Sequence, residues 1–93
     1  MQDPVTVRKN LGERIRYLRS KRGWSQERLA HESGLGRSFT GAIERGEKDI
    51  RMRTLCKLSI VFEVTLSDLL KGTDDFSRSG ERKAKRSTAS RSR

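Results

Sequence analysis

The 93-residue sequence predicts an all-α fold of five helices, and three observations support this prediction. Apolar residues recur at helical spacing, as in Val7, Leu11, Ile15 and Leu18. Glycines follow the periodic segments, and no stretch alternates between apolar and polar residues as a half-buried strand would. The chain contains 31% hydrophobic and 5% aromatic residues. This composition suffices for a small helical core but not for a large ligand cavity.

The first two helices are predicted on either side of Gly23. The first begins at Asp3, or alternatively at Thr6, because either residue is a suitable N-cap, and it ends at Gly23. Ser25 is a favourable N-cap for a short second helix. Gly34 ends the second helix, since a C-cap often requires a positive φ.

Three further helices complete the predicted fold. The third spans residues 36–45, and a polar loop over 46–53 follows it. The fourth helix is the most apolar of the set. The fifth is short, begins near Thr65 or Ser67 and ends at Gly72. The predicted inward-facing residues of the last two helices are Leu55, Leu58, Phe62, Leu66, Leu69 and Leu70.

Positive charge divides the chain into a domain and a tail. Lys and Arg outnumber Asp and Glu by 22 to 12, which gives a net charge of +10 and indicates a polyanionic partner. Residues 77–93 carry +6 of this charge and almost no apolar side chains, so we expect a disordered basic tail there. Residues 1–76 form the predicted domain. A merely solubilising tail and non-specific attraction to phosphate both remain open.

Several functional classes are excluded by composition. No apolar run approaches the roughly 18 residues that span a bilayer, and the N-terminus does not resemble a signal peptide. Cys56 is the single cysteine, is expected to be buried, and forms neither a disulfide nor a zinc site alone. His31 has no second ligand at metal-binding spacing, and no serine or carboxylate has the companions that catalysis requires. The sequence therefore predicts no enzyme, metal or cofactor.

The second and third helices are typical of a helix-turn-helix motif, because a tight glycine-containing turn joins them in a basic chain. The second helix of such a motif fits the major groove of DNA. At 100° per residue, Phe39 and Ile43 lie on one side of the third helix. The opposite side contains Arg37, Ser38, Gly41 and Arg45. An ordinary solvent-facing surface has a similar composition, so this alternative stays open.

Spaced residues between positions 7 and 72 carry a family resemblance. They include Gly23-Trp24-Ser25-Gln26-Glu27, Leu29-Ala30, Ser33-Gly34-Leu35 and Ile43-Glu44-Arg45-Gly46. This pattern resembles the phage repressor and Cro-like helix-turn-helix family, often called the Xre family. Within it, residues 37–45 resemble the controller proteins of bacterial restriction–modification systems. The chain departs from the family pattern at Thr40, where an apolar residue is usual, and in its basic tail.

The resemblance implies roles for residues at a DNA interface. Arg37 and Ser38 match positions that read base edges, Gly41 allows close approach, and Ala42 matches a groove-facing position that reaches at most a thymine methyl group. The residues expected along the phosphate backbone are Gln26, Arg45, Lys48, Arg51 and Arg53. Gln26 also matches a family glutamine that buttresses the third helix.

The resemblance also implies structural and dimer contacts. Arg19 and Glu44 match a pair that forms an ion pair between the first and third helices, with a structural role. Dimer contacts are expected near the end of the fourth helix and in the fifth. The apolar candidates there are Phe62, Val64, Leu66, Leu69 and Phe76.

Together these features predict a sequence-specific regulator of transcription that binds double-stranded DNA as a homodimer. The third helix reads a two-fold symmetric operator in the bacterial cytoplasm, in association with the nucleoid, and the regulator occludes or recruits RNA polymerase. Autoregulatory control of a restriction–modification system is the more specific hypothesis. No membrane or small-molecule partner is expected. The alternatives are an antitoxin-type or other partner-binding module and a non-specific DNA-coating protein.

Overall fold

The computed structural model describes residues 2–76, and these form five α-helices without a strand. The helices are α1 (Pro4–Lys21), α2 (Gln26–Ser33), α3 (Arg37–Glu44), α4 (Met52–Phe62) and α5 (Leu66–Leu69). The prediction of an all-α fold is confirmed. No helix within this described part is long and apolar enough to cross a membrane. The predicted basic tail, residues 77–93, lies outside the described residues.

Capping side chains set the ends of the first two helices. Asp3 is the N-cap of α1, and Thr6 donates its hydroxyl to the Asp3 carboxylate at 3.2 Å, which decides between the two predicted starts. Ser25 caps α2 by accepting the backbone N–H of Arg28 at 3.0 Å. Gly34 ends α2 with φ +73°, a conformation that side chains disfavour. The predicted boundaries of α2 are confirmed.

The ends of α4 lack the side-chain cap and the glycine that bound α2. This helix begins at Met52, inside the segment predicted as loop, and its N-cap Arg51 makes no side-chain capping hydrogen bond. It ends at Glu63, which adopts the left-handed conformation with φ 57° although it is not a glycine. Capping patterns based on Ser, Asp or Gly therefore do not locate the start of α4, which lies inside the segment predicted as loop.

One apolar cluster holds the five helices together. Its buried members come from every helix: Leu11, Ile15, Leu18, Leu29, Ile43, Leu58, Phe62 and Leu69. Trp24, which follows α1, covers the cluster and stacks on Phe62 with ring centroids 6.0 Å apart. The short helices α2 and α3 thus rest on a core that α1 and α4 supply.

Three predicted core assignments are corrected by the structure. Leu66 and Leu70 are 39% and 36% exposed, so only Leu69 of α5 is fully buried. Cys56 is exposed because it lies on the outer side of α4, one helical turn from each of Met52 and Ile60. Apolar residues occur on all sides of α4, so the periodicity of the sequence does not reveal which side faces outward.

Two local features place α3 against α1. A Cβ atom at Gly12 would lie 2.5 Å from the carbonyl oxygen of Glu44 and 2.7 Å from that of Ile43. Only glycine permits this close approach of the two backbones. Thr40, the departure from the family pattern, is 2% exposed and donates its hydroxyl to the carbonyl of Gly36 at 2.9 Å. The polar atom is satisfied within its own helix, so it is tolerated in the core.

Candidate nucleic-acid interface

The turn between α2 and α3 presents one side of α3 to solvent. Gly34, Leu35 and Gly36 connect the two helices, and Leu35 packs against the core. Thr40 and Ile43 anchor the inner side of α3, with 2% exposure each. The outer side therefore contains the exposed Arg37, Ser38 and Arg45, as the helical periodicity predicts.

A buried carboxylate lies directly behind this outer side. The side chain of Glu44 is fully buried, and Arg19 binds it in two places, with Nε 2.6 Å from Oε2 and Nη2 3.0 Å from Oε1. Arg19 also donates to the carbonyl of Trp24 at 2.8 Å. The predicted partners are thus in contact through paired hydrogen bonds of the strong, charge-assisted type.

Gln26 extends this arrangement to the surface. Its side-chain nitrogen donates to Oε1 of Glu44 at 2.9 Å. Its side-chain oxygen accepts a hydrogen bond from Nη1 of Arg37 at 2.8 Å. The carboxylate fixes which end of the amide points outward, since only the nitrogen can donate to it. We call the connected residues Arg19, Glu44, Gln26 and Arg37 the Glu44 network.

The electrostatics of the Glu44 network favour the charged form of the carboxylate. Burial by itself would raise the pKa of Glu44. The hydrogen bonds from Arg19 and Gln26, together with the positive charges of Arg19 and Arg16, outweigh burial and hold the pKa of Glu44 below its ordinary value. The same hydrogen bond to Glu44 raises the pKa of Arg19. Both groups are therefore charged at neutral pH.

Gly41 lies beneath three polar side chains. A Cβ atom there would be 3.2 Å from Nη1 of Arg45, 3.6 Å from Oε1 of Gln26 and 3.7 Å from Nη1 of Arg37. Gly41 is consequently buried, although it lies on the outer side of α3. The atoms that cover it are the ends of flexible side chains.

Arg45 pairs with a neighbouring acid. Its Nε lies 2.9 Å from Oε2 of Glu47, and its Nη2 lies 3.2 Å from Oε1. This hydrogen bonding raises the pKa of Arg45 and lowers that of Glu47. Both side chains are more than half exposed. Such an exposed surface pair contributes little to stability.

Three further cations follow α3 along the chain. Lys48, Arg51 and Arg53 are exposed in the loop after α3 and at the start of α4. None of them has a carboxylate oxygen within 4.0 Å among residues 2–76. They extend the positive surface beyond the end of α3, where the sequence predicts contacts to the phosphate backbone.

The structure corrects three assignments of candidate residues. Ala42 is only 6% exposed, so its methyl group packs inside rather than on the groove-facing surface. Phe62 and Leu69 are 2% and 0% exposed because they belong to the core of the protomer. They are not available to a second copy. Val64 is half-buried, whereas Leu66 and Phe76 are exposed.

Two residues were missed by the sequence interpretation. Arg16 lies 3.7 Å from Oε1 of Glu44 and is more than half exposed, so it adds positive charge beside the Glu44 network. Ile60 is 74% exposed on α4. The spacing of four between Cys56 and Ile60 was the available signal for an exposed apolar side of this helix.

Comparison with known proteins identifies the family. A model of the helix-turn-helix family HTH_3 matches residues 15–69. The chain belongs to this family. Among its relatives is the SPbeta prophage-derived HTH-type transcriptional regulator YonR of Bacillus subtilis, 40% identical over 62 residues. The match covers 67% of this chain and 57% of YonR, so the chain spans little more than half of that relative.

A control protein and a restriction–modification controller protein are also similar to this helix-turn-helix protein. Control protein C.SmaI of Serratia marcescens is 34% identical over 66 residues, which cover 71% of this chain and 79% of that protein. The crystal structure of the controller protein C.AhdI from Aeromonas hydrophila superposes with a TM-score of 0.63 and 38% identity, covering 66% of this chain and 92% of C.AhdI. The chain is therefore a helix-turn-helix protein related to these controllers, and the relatives named here are regulators or control proteins.

Proposed function

We propose that this regulator binds a two-fold symmetric DNA operator as a homodimer, with α3 in the major groove. The observation that carries the proposal is the Glu44 network, which holds the exposed guanidinium of Arg37 through Gln26 with contacts of 2.8 and 2.9 Å. A reading side chain that is positioned before binding loses less entropy on binding. An unspecific cationic surface has no need for such support.

Base reading is assigned to Arg37 and Ser38. An arginine that donates two hydrogen bonds to guanine is the commonest specific contact in the major groove. Arg37 has further N–H groups beyond the one that Gln26 accepts. Gly41 adds no side chain of its own beneath Arg37 and Arg45, so it leaves room for a close approach to the bases. Ala42, which is buried, is left out of this set.

Contacts to the phosphate backbone are assigned to the surrounding cations and to Gln26. The amide nitrogen of Gln26 uses one hydrogen for Glu44 and retains a second donor. Arg45 exchanges its contact with Glu47 for a phosphate, and the unpaired cations continue the surface. These backbone residues are Gln26, Arg45, Lys48, Arg51 and Arg53. Such contacts position the protein and do not read sequence.

Dimerisation is assigned to the exposed apolar residues near the α4–α5 junction. Ile60 is 74% exposed and Leu66 39% exposed, with the half-buried Val64 between them along the chain. Large apolar side chains that are exposed to solvent favour association. One α3 per protomer reads only one half-site, and two copies related by a two-fold axis read an inverted repeat with a spacing of about 34–36 Å.

Selection of duplexes from a random DNA pool at about 150 mM salt tests the proposal. The expected result is an inverted repeat. Arg37→Ala should lose preference at one base position in each half-site, because it removes a base contact worth about 1–3 kcal/mol. Arg53→Ala, which also removes one positive charge, should weaken binding to all sequences by a similar factor. An enriched repeat that is unchanged by Arg37→Ala would overturn the assignment of α3 as the reading helix.

Kinship with the controller proteins supports a more specific role for the dimer. We propose that the operator lies upstream of the gene for this regulator. The concentration of the regulator then controls transcription of that gene, because the bound dimer excludes or recruits RNA polymerase. The check is footprinting of the selected repeat on that upstream DNA. If no motif is enriched and affinity depends only on salt, the protein is instead a DNA-coating or partner-dependent protein.

A further inference from the structure

A second positively charged region lies on the side of α1 that faces away from α3. The residues of α1 directed at α3 are Gly12, Arg16 and Arg19. Arg14 and Lys21 lie about 180° around the same helix, at 100° per residue. A DNA duplex bound by α3 therefore does not reach these two cations in the same protomer.

This region is a pocket rather than a flat surface. A cavity of about 430 Å³ opens between α1, the end of α4 and the segment around α5. Its walls include Leu18, Phe62 and Val64, which supply apolar surface. The volume falls within the range of sites that bind small organic molecules, which is about 300–1,000 Å³.

The charges around the cavity are strongly unbalanced. Four cations line it, and the single acid among its lining residues is Asp68. Arg14 donates to the backbone carbonyl of Asp68 at 2.7 Å and contacts its carboxylate at 3.2 Å, so this acid is already engaged. Arg22 is fixed by a 2.7 Å hydrogen bond to the carbonyl of Phe62 and is paired with Glu63, whose Oε1 lies 3.5 Å from its Nη2.

Two cations of the pocket have no acidic partner. Among residues 2–76, neither Lys21 nor Lys71 has a carboxylate oxygen within 4.0 Å. Tyr17, which is 52% exposed, lies between Arg14 and Lys21, with 5.4 and 5.7 Å from their charged groups to its ring centroid. The pocket thus combines an exposed aromatic ring, two fixed guanidinium groups and two unpaired ammonium groups.

We propose that this pocket binds a small phosphorylated organic molecule of about the size of a mononucleotide. The ammonium groups of Lys21 and Lys71 contact the phosphate, and the apolar part lies against Tyr17 and Val64. A concave site with one apolar wall fits such a molecule better than an acidic protein surface, which would need an extended complementary patch. The site is separate from the proposed DNA interface, so its test does not depend on DNA binding. It shares Val64 with the proposed dimer surface, so the amides of Tyr17, Lys21 and Lys71 decide the test.

The test is a titration of the full chain with adenosine 5′-monophosphate, followed by amide chemical shifts in nuclear magnetic resonance. Saturable shifts should appear at Tyr17, Lys21, Val64 and Lys71. Inorganic phosphate should shift the same amides with weaker affinity, and adenosine without phosphate should shift none. The double variant Lys21→Gln/Lys71→Gln should bind the nucleotide at least about tenfold more weakly, since it lacks both phosphate contacts.

The matched control is Lys9→Gln/Lys57→Gln, which removes the same charge from exposed lysines outside the pocket. It should retain the affinity of the unmodified chain. Shifts that do not saturate, that spread over the DNA-facing residues 37–53, or that are equal in the two double variants would overturn the proposal. Binding of a poly-glutamate peptide at these amides without binding of the nucleotide would also overturn it, in favour of a protein partner.

Discussion

The exposed sides of α3 and α4 differ in kind although both helices rest on the same core. On α3 the exposed residues are polar, and the Glu44 network fixes one of them from behind. On α4 the residues Met52 and Ile60 form an exposed apolar side, at 68% and 74% exposure, while Arg53 and Lys57 are exposed cations of the same helix. The two sides therefore suit different partners, a hydrogen-bonding surface in one case and an apolar surface in the other.

This difference shows where rigidity is placed in the molecule. The close backbone contact at Gly12 and the buried Glu44 hold α3 in position against α1. Recognition by hydrogen bonds depends on distance and angle. The residues that support α3 are therefore buried and paired, as in the Glu44 network. Association through apolar surface tolerates small displacements, because it depends mainly on the area removed from water.

The largest expected effect is on the support of α3. Glu44→Gln leaves Arg19 buried without its carboxylate partner, and we expect a loss of about 3–5 kcal/mol in the free energy of unfolding. Urea unfolding measures it. The control is Glu47→Gln, which removes an exposed acid of the same type and should leave the urea midpoint unchanged. Equal midpoints for the two variants would show that the Glu44 network does not stabilise the fold.

The next effect concerns the contact between α1 and α3. Gly12→Ala places a methyl group against two backbone carbonyls and should cost about 1–3 kcal/mol, since the backbones have to separate. Gly41→Ala meets only flexible side-chain ends, so its thermal midpoint should stay the same or rise. A thermal midpoint for Gly12→Ala at or above that of the unmodified chain would contradict the close approach.

A smaller effect is expected on the apolar side. Ile60→Glu should weaken the dimer at least about tenfold, about 1.4 kcal/mol, and leave the protomer fold intact because the residue is exposed. Sedimentation equilibrium measures the dissociation constant of the dimer. Lys57→Glu, on the same helix, is the matched control for a new carboxylate. If Ile60→Glu dimerises as strongly as that control, the proposed apolar interface is wrong.

The smallest effect is a dependence of stability on pH. The pKa of Glu44 is lower in the folded protein than its ordinary value of about 4.3, so its contribution is complete above that pH. It is lost as the pH falls through the folded pKa. The free energy of unfolding should therefore decrease on acidification, by at most about 1.4 kcal/mol per pH unit for this one group. For Glu44→Gln, the free energy of unfolding measured with urea should depend less steeply on pH between pH 5 and pH 3.

The sequence predicted those parts of the molecule that local chemistry determines. Ser25 and Gly34 bound α2 through capping and positive φ, and both effects are visible in residue type alone. The contact of Arg19 with Glu44 followed from the family resemblance. The resemblance also implied that Gln26 buttresses the third helix, but its specific link between Glu44 and Arg37 depends on how α2 and α3 are placed relative to each other.

The remaining errors have a common physical cause. Burial of Phe62, Leu69 and Ala42, and exposure of Cys56, depend on which side of a helix meets its neighbours. Periodicity identifies an apolar side, but α4 and α5 contain apolar residues on more than one side. Only the packing of the five helices decides which of these residues remain available to a second copy.

If Arg37 reads bases as proposed, the amide of Gln26 limits which side chains can replace it. Because Glu44 holds the nitrogen, the outward oxygen accepts but does not donate. Replacements of Arg37 that carry a donor, such as Lys or Gln, keep that oxygen partnered, whereas Asp or Glu face repulsion from it. Natural divergence or redesign at position 37 is therefore expected to move among donor side chains, unless Gln26 changes in the same step.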